Sequence, residues 1–339
     1  MHTIKLSLFV TFAMVFEMLI SCNESIPKTN SVGEESIKDT IQPVTIQIDT
    51  NASLHPVCIN NKQGYINNEG RTVIQPQFEL AYNFCDNRAL IVENDKWGYI
   101  DKTGKIISKT WFESAEDFSE GMACVKIGGK WGYIDKTGNI VIEPRFDFPG
   151  TFKEGLARAN IGKEWGYIDK SGEFVIPLQS YFWASDFCDG LAEVSKHVND
   201  DLRSFYIDKT GKTVISLRSD FIASDFSDGM ALVEKNELMG YIDKKGNFVI
   251  PPQFEFADDF REGLANVKIG DKWGYIDKTG KVIIEPRFDY AEGFYEGFAF
   301  VRVNGLWGYI DKTGNYLVKP KFTTATIFIN GLAGVSTNG

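Results

Sequence analysis

Along most of this chain apolar residues fall in short runs, many of them alternating with polar residues or glycine, and most runs stop at a glycine-bearing turn. Period-two runs bounded by Gly, Asn and Asp predict short antiparallel strands. No apolar period of helical spacing lasts beyond one turn between them. The pattern therefore predicts an all-β fold with almost no helix.

The runs repeat. Trp97-Gly98-Tyr99-Ile100-Asp101-Lys102-Thr103-Gly104 returns unchanged at 131–138, 273–280 and 307–314, and at 165–172 with Ser171 as the one difference. Looser copies lie at 63–70, 204–211 and 239–246. The Gly98 position is held in turn by Gly64, Gly98, Gly132, Gly166, Phe205, Gly240, Gly274 and Gly308, spaced by 34, 34, 34, 39, 35, 34 and 34 residues. Such a period over eight copies is the mark of a tandem array.

Each copy reads as three strands. Strand A carries Leu-Ala-x-Val, strand B Trp-Gly-Tyr-Ile and strand C Val-Ile-x-Pro. Asp-Lys-Thr-Gly joins B to C. Its Asp can accept from backbone amides two residues on, and its Gly can take the left-handed conformation that closes a bulged hairpin. All eight copies keep that glycine: Gly70, Gly104, Gly138, Gly172, Gly211, Gly246, Gly280 and Gly314. A side chain at positive φ costs on the order of 1 kcal/mol, which accounts for the recurrence without a ligand. In strand B the Trp and Tyr point to one face and the Gly and Ile to the other. Gly weakens a strand unless something must approach closely, and the expected close neighbour is the adjacent unit. The prolines Pro144 and Pro286 are expected to end pairing of strand C.

One unit of this size cannot bury its aromatic face alone, but stacked units can. Residues 54–339 are thus expected to form eight antiparallel hairpin or meander repeats. An open solenoid is favoured over a closed β-propeller, because blades usually need four strands in 40–45 residues. The chain also ends on a surplus A-type strand at 331–335. The eight copies resemble the WG-repeat (KWG-repeat) proteins of bacteria, over roughly residues 54–339. The resemblance implies a β-rich repeat array and little chemistry.

Composition narrows the function. A net charge of −10 argues against a nucleic-acid partner, since phosphate binding needs a basic surface. The five cysteines include no CxxC pair and there are three histidines, so no metal site is expected. Cys85 and Cys188 share one repeat position with Ser119 and Ser227 and read as small turn residues. One carboxylate per turn is too few for calcium. No nucleophile elbow, P-loop, HExxH or dinucleotide fingerprint appears. Carboxylates recur in every copy, whereas a catalytic site is usually single. No catalytic residue, cofactor or enzymatic activity is expected.

The start of the chain reads differently. Lys5 precedes the apolar run Leu6 to Phe16, which is too short for a membrane span of about 20 residues. Residues 1–21 read as a signal peptide. The ending Leu19-Ile20-Ser21-Cys22 resembles a bacterial lipobox, despite Glu17. That resemblance implies Cys22 as the lipidated residue and a lipid bilayer as anchor, on the outer membrane or periplasmic face of a bacterial envelope; plain secretion is the alternative. Residues 22–53, rich in Ser, Thr, Asn, Glu and Lys, read as a flexible tether.

The best binding candidates are the aromatic stripe Trp97, Tyr99, Trp131, Tyr133, Trp165, Tyr167, Trp273, Tyr275, Trp307 and Tyr309. The first reading is core, with Trp273 and Trp131 worth about 3–5 kcal/mol each by truncation. The alternative is an exposed ladder that stacks on a ligand. The fifth copy departs from the pattern, with an insertion at 196–203 and Phe205 in place of Gly. Insertions in repeat proteins often mark a binding face. The expectation is an envelope-anchored, non-catalytic scaffold for a protein or polymer partner, with a glycan or cell-wall module as the alternative and a hydrolase behind both.

Overall fold

The computed structural model describes residues 53–337. The segment 1–52, which holds the expected signal peptide, Cys22 and most of the expected tether, lies outside the described residues. All regular structure within them is β-strand, with no helix.

The third unit shows the plan. Strand A is Met122–Ile127, B is Lys130–Asp135 and C is Ile140–Phe146, and they pair antiparallel in that order. A fourth strand, Ser114–Ala115, precedes A and pairs with its outer edge. We term it D. The same D strand recurs as Trp183–Ala184 and Tyr290–Ala291 and is longer at Leu80–Cys85 and Ile222–Ser227. Units thus hold three or four strands in separate small sheets, where sequence reading found three.

Strand C departs from expectation in a second way. Pro144 and Pro286 lie inside their strands. Pairing skips a bulge between Ile142 and Phe146, then resumes as Phe146 meets Trp131. Proline lacks an amide donor and is tolerated at a bulge. This bulge explains the glycine of Trp-Gly. A Cβ on Gly132 would stand 2.4 Å from the Ile142 carbonyl oxygen and 2.7 Å from the Pro144 nitrogen, and Gly64, Gly240, Gly274 and Gly308 meet the same two atoms of their own strand C. The close neighbour is therefore the same unit, not the adjacent one.

The adjacent unit presses on the turn glycines instead. A Cβ on Gly104, Gly172, Gly211 or Gly314 would lie 3.0 Å from the Cγ2 of Ile74, Ile142, Ile176 or Ile284 of the preceding unit, and one on Gly246 would lie 2.9 Å from that of Ile215. On Gly280 it would lie 3.3 Å from Ile250, and on Gly138 it would strike the Ile107 carbonyl. All seven have φ between 78° and 88°. The turn itself forms as expected. The Asp101 carboxylate accepts from the Thr103 amide and the Thr103 hydroxyl, and Gly104 donates its amide to the Asp101 carbonyl.

Core clusters lie between successive units. Tyr275, Ile284 and Phe288 of the seventh pack with Ala299, Val301 and Ile310 of the eighth. Among the described residues no sheet seals the two ends of the array: Leu54–Ile59 pairs there only with Lys62–Asn67, and Thr324–Ala325 only with Val335–Ser336. The chain is thus an open array of eight units, followed by a partial ninth.

Candidate functional site

The tyrosines and tryptophans of the stripe part company. Tyr99, Tyr133, Tyr167 and Tyr275 have no exposed surface and Tyr309 has 3 %. Each is fixed at both ends. The ring packs against a phenylalanine of the next D–A segment, as Tyr133 does on Phe152 at 5.0 Å and Tyr275 on Phe294 at 4.9 Å. The hydroxyl donates to a backbone carbonyl of that segment, Tyr133 to Gly150 at 2.7 Å and Tyr275 to Glu292 at 2.7 Å. Burial holds the Tyr133 and Tyr275 hydroxyls well above their usual range. The tyrosines are core.

Trp97, Trp131, Trp165, Trp273 and Trp307 are each half-buried. They stand at the start of strand B, next to the A–B turn, at the opposite end of the strands from Asp-Lys-Thr-Gly. Here the first residues of D join them. Trp165 lies 6.0 Å from Trp183, and Trp97 stacks on Tyr82 at 5.7 Å. Between the sixth and eighth units the contacts are continuous: Phe256 to Trp273 at 6.4 Å, Trp273 to Tyr290 at 5.4 Å, Tyr290 to Trp307 at 5.7 Å. Strand A adds cations over these rings. Arg158 lies 4.9 Å from the Trp183 ring, Lys268 5.1 Å from Phe256 and Arg302 5.8 Å from Trp307. Several rings reach solvent outright, with Phe148 67 % and Phe182 64 % exposed and Phe256 and Trp183 about half exposed. Single exposed apolar residues are ordinary, whereas contiguous exposed apolar patches are a general feature of interaction surfaces.

Sequence reasoning missed Phe148, Phe182, Trp183 and Phe256. The aligned positions 114 and 222 hold Ser and Ile, so no shared residue type flagged them. The inserted segment of the fifth unit is an extension of the hairpin, not a loop. Strands A and B reach eight residues each, Leu191–Val198 and Asp201–Asp208, and project beyond this edge. Lys196 lies 5.1 Å from the ring of Phe205.

The opposite ends of the strands carry a ladder of carboxylates. Asp86 accepts the Gly121 amide and the Lys136 ammonium of the next unit, at 2.5 and 2.6 Å. Asp228 accepts Gly263 and Lys278 in the same way, Glu120 accepts Gly155 and Lys170, and Glu262 accepts Gly297 and Lys312. These acids sit at positive φ, as at Glu120 (51°) and Asp228 (56°). Turns of four successive units, from Ser119 to Asp228, line one cavity of about 400 Å³, so this side is the inside of the curve. Among the described residues no group of three or more His, Cys, Asp and Glu is placed to hold a metal ion. One carboxyl stands apart: Glu193, 7 % exposed in the irregular unit. Burial, partly offset by Ser204, pushes it up to about 7.

The pattern described as WG containing repeat matches eight times, over residues 64–97, 97–131, 131–165, 165–197, 205–238, 239–273, 273–307 and 307–339. The chain belongs to this family. No curated protein matches this WG-repeat chain. Among solved structures, a crystal structure of the eukaryotic initiation factor is similar with a TM-score of 0.56 at 11 % identity, over 81 % of this chain and 87 % of that one. That likeness is one of fold alone. Apo AztD from Citrobacter koseri gives a TM-score of 0.41 at 10 % identity, over 78 % and 92 % of the two chains. Hsv2p from Kluyveromyces lactis gives 0.41 at 8 % identity, over 66 % and 88 %.

Proposed function

We propose that this WG-repeat chain is a non-catalytic scaffold, tethered to a bacterial envelope through a lipid on Cys22, whose tryptophan-bearing edge binds a protein or polymer partner. One observation carries the reading: half-buried tryptophans of successive units adjoin solvent-facing aromatics, Trp165 beside Trp183 and Trp273 beside Phe256, each of the latter about half exposed. Core packing does not need these rings outside. Flat aromatic surface beside Arg and Lys suits peptide aromatics, and equally the faces of sugar rings. The ladder carboxylates are engaged between units, Asp86 with Lys136 and Asp228 with Lys278, which fits a structural use.

The test is capture from envelope extract by the wild-type protein and by Phe148→Ser/Phe182→Ser/Phe256→Ser. Retained partners that the triple variant loses support the edge as the site, and equal capture by both proteins overturns it. A glycan array run on both proteins decides between protein and polysaccharide. Metabolic labelling with a clickable fatty acid tests the anchor. Wild type should take up label and Cys22→Ala should not, and an unlabelled wild type removes the lipid from the proposal.

A further inference from the structure

We propose that the junction between the fifth and sixth units is a proton-operated joint, in which a proton on Glu193, facing Asp225, keeps strand Leu191–Val198 seated on strand Ile222–Ser227. The joint belongs to the frame and stands whatever the tryptophan-bearing edge binds.

The repeat itself places the pair. Glu193 lies in strand A opposite Tyr206, as Arg158 lies opposite Tyr167 in the fourth unit. Asp225 precedes Phe226 in the next unit's D segment, as Asp186 precedes Phe187. Arg158 and Asp186 meet at 3.0 Å across their junction. One junction further on, a carboxyl takes the place of the guanidinium and again faces an aspartate. Leu90, Cys124, Leu232, Asn266 and Phe300 hold the place of Glu193 in other units, and none of them is acidic.

Backbone and side chains bring the two acids together. The Ser185 hydroxyl oxygen accepts the Glu193 amide at 2.9 Å, and the same hydroxyl bonds to the Asp225 carboxylate. Glu193 is 7 % exposed and Asp225 is half-buried. Two carboxylates enclosed side by side are not both ionised at low cost, so one of them keeps its proton. The groups around the pair leave the second charge uncancelled. Arg158 and Lys153 are engaged with Asp186, at 3.0 and 3.6 Å, and Lys153 offsets Asp225 only in part. Asp186 and Asp259 add negative charge beside Asp225. Tyr167 and Tyr206 donate their hydroxyls to the Ser185 and Ser224 carbonyls, and burial holds both in the neutral form. Burial also pushes the nearby Cys188 thiol up to about 11, so it stays neutral.

Burial, and then the charge of Asp225, raise Glu193 to about 7, against an opposing bond from Ser204. The closed joint therefore binds the proton more tightly than an opened one, in which water reaches the carboxyl. As pH rises through about 7 that advantage is lost and opening becomes easier. Phe187 and Phe226, which adjoin the pair in sequence, line the inner cavity. A looser joint widens that cavity at the fifth and sixth units.

Amide hydrogen exchange of the full chain tests the joint, read by mass spectrometry for wild type, Glu193→Gln and Asp225→Asn at pH 5 and pH 8. Proteins are compared only at the same pH, so the intrinsic pH dependence of exchange cancels. At pH 5 all three should protect Leu191–Val198 and Ile222–Ser227 nearly alike. At pH 8 both strands should exchange faster in wild type than in Glu193→Gln, by on the order of tenfold. Asp225→Asn should fall between the two, and strand Leu264–Ile269 of the seventh unit should not respond. Three results overturn the proposal. One is equal exchange of wild type and Glu193→Gln at both pH values. Another is a pH 8 difference that is as large in Leu264–Ile269, which would make Glu193 a matter of overall stability. The third is an Asp225→Asn protein that exchanges like wild type at pH 8, which would remove Asp225 as the opposing acid.

Discussion

Asp228 and Lys278 lie fifty positions apart, and their carboxylate and ammonium meet at 2.7 Å across the junction of two units. The same carboxylate accepts the Gly263 amide at 2.5 Å. Burial tends to raise Asp228, but the bonds from Lys278 and Gly263 outweigh it and hold the carboxyl below its ordinary value. A lowered carboxyl contributes stability that is present above its unfolded value and lost as pH falls through the folded one. The pair is about a third exposed, so screening limits its share to under about 1 kcal/mol. Asp228→Ala should cost about 1–2 kcal/mol in all, the amide bond included. Urea denaturation at low and high salt checks this. Salt should narrow the gap between the proteins, and a gap unaffected by salt would remove the ion pair from the account.

Glu193 should give the opposite pH dependence. Its folded value is raised from 4.5 to about 7, so the folded state binds the proton more tightly than the unfolded one. Its contribution is full below the ordinary value and is lost as pH rises through about 7, by about 3 kcal/mol at most. Glu193→Gln should flatten the difference in unfolding free energy between pH 5 and pH 8. An unchanged slope would mean that Glu193 is already ionised in the fold.

Tyr275→Ala and Trp273→Ala should differ, although sequence alone ranks them together. The tyrosine is wholly enclosed and bonded to Glu292, and its loss should cost about 3–5 kcal/mol. The tryptophan is half-buried, so its removal should cost less than that range, below the expectation drawn from repetition. Denaturation midpoints of the two variants decide the order.

Gly246 and Gly121 make a second matched pair. Both have positive φ, 82° and 87°. A Cβ on Gly246 meets Ile215 at 2.9 Å, and one on Gly121 meets nothing within 4 Å. Gly121→Ala should cost on the order of 1 kcal/mol from backbone strain, and Gly246→Ala that amount plus overpacking of about 1–3 kcal/mol. Equal costs would show that the interface yields freely.

The unit was legible in the sequence where its causes are local. Asp101, Thr103 and Gly104 make their turn from adjacent residues, and alternation set the A–B–C order. The D strand was not legible, because Ser114–Ala115 is too short for any period to register. Nor was the division between Tyr133 and Trp131. Two residues apart, they share a face of strand B, and only the packing of Phe152 from the next segment decides which one is enclosed. The role of Gly132 was read as contact between units because strand C was expected to stop at Pro144 and not to cross back over the glycine. The curvature depends on Glu120 reaching Gly155 and Lys170, a relation that no single unit contains.

The fifth unit shows where this architecture accepts new material. Its extra residues lengthen one hairpin outward, Leu191–Val198 against Asp201–Asp208, while the turn at Asp189 still bonds the amide of Gly229. Growth at the A–B turn runs away from both neighbours. The corresponding turns at Gly128-Gly129, Gly162 and Gly270 are therefore natural graft points. Foreign hairpins or epitopes placed there would be displayed side by side at a fixed pitch, one per unit, on a frame that does not have to change to hold them.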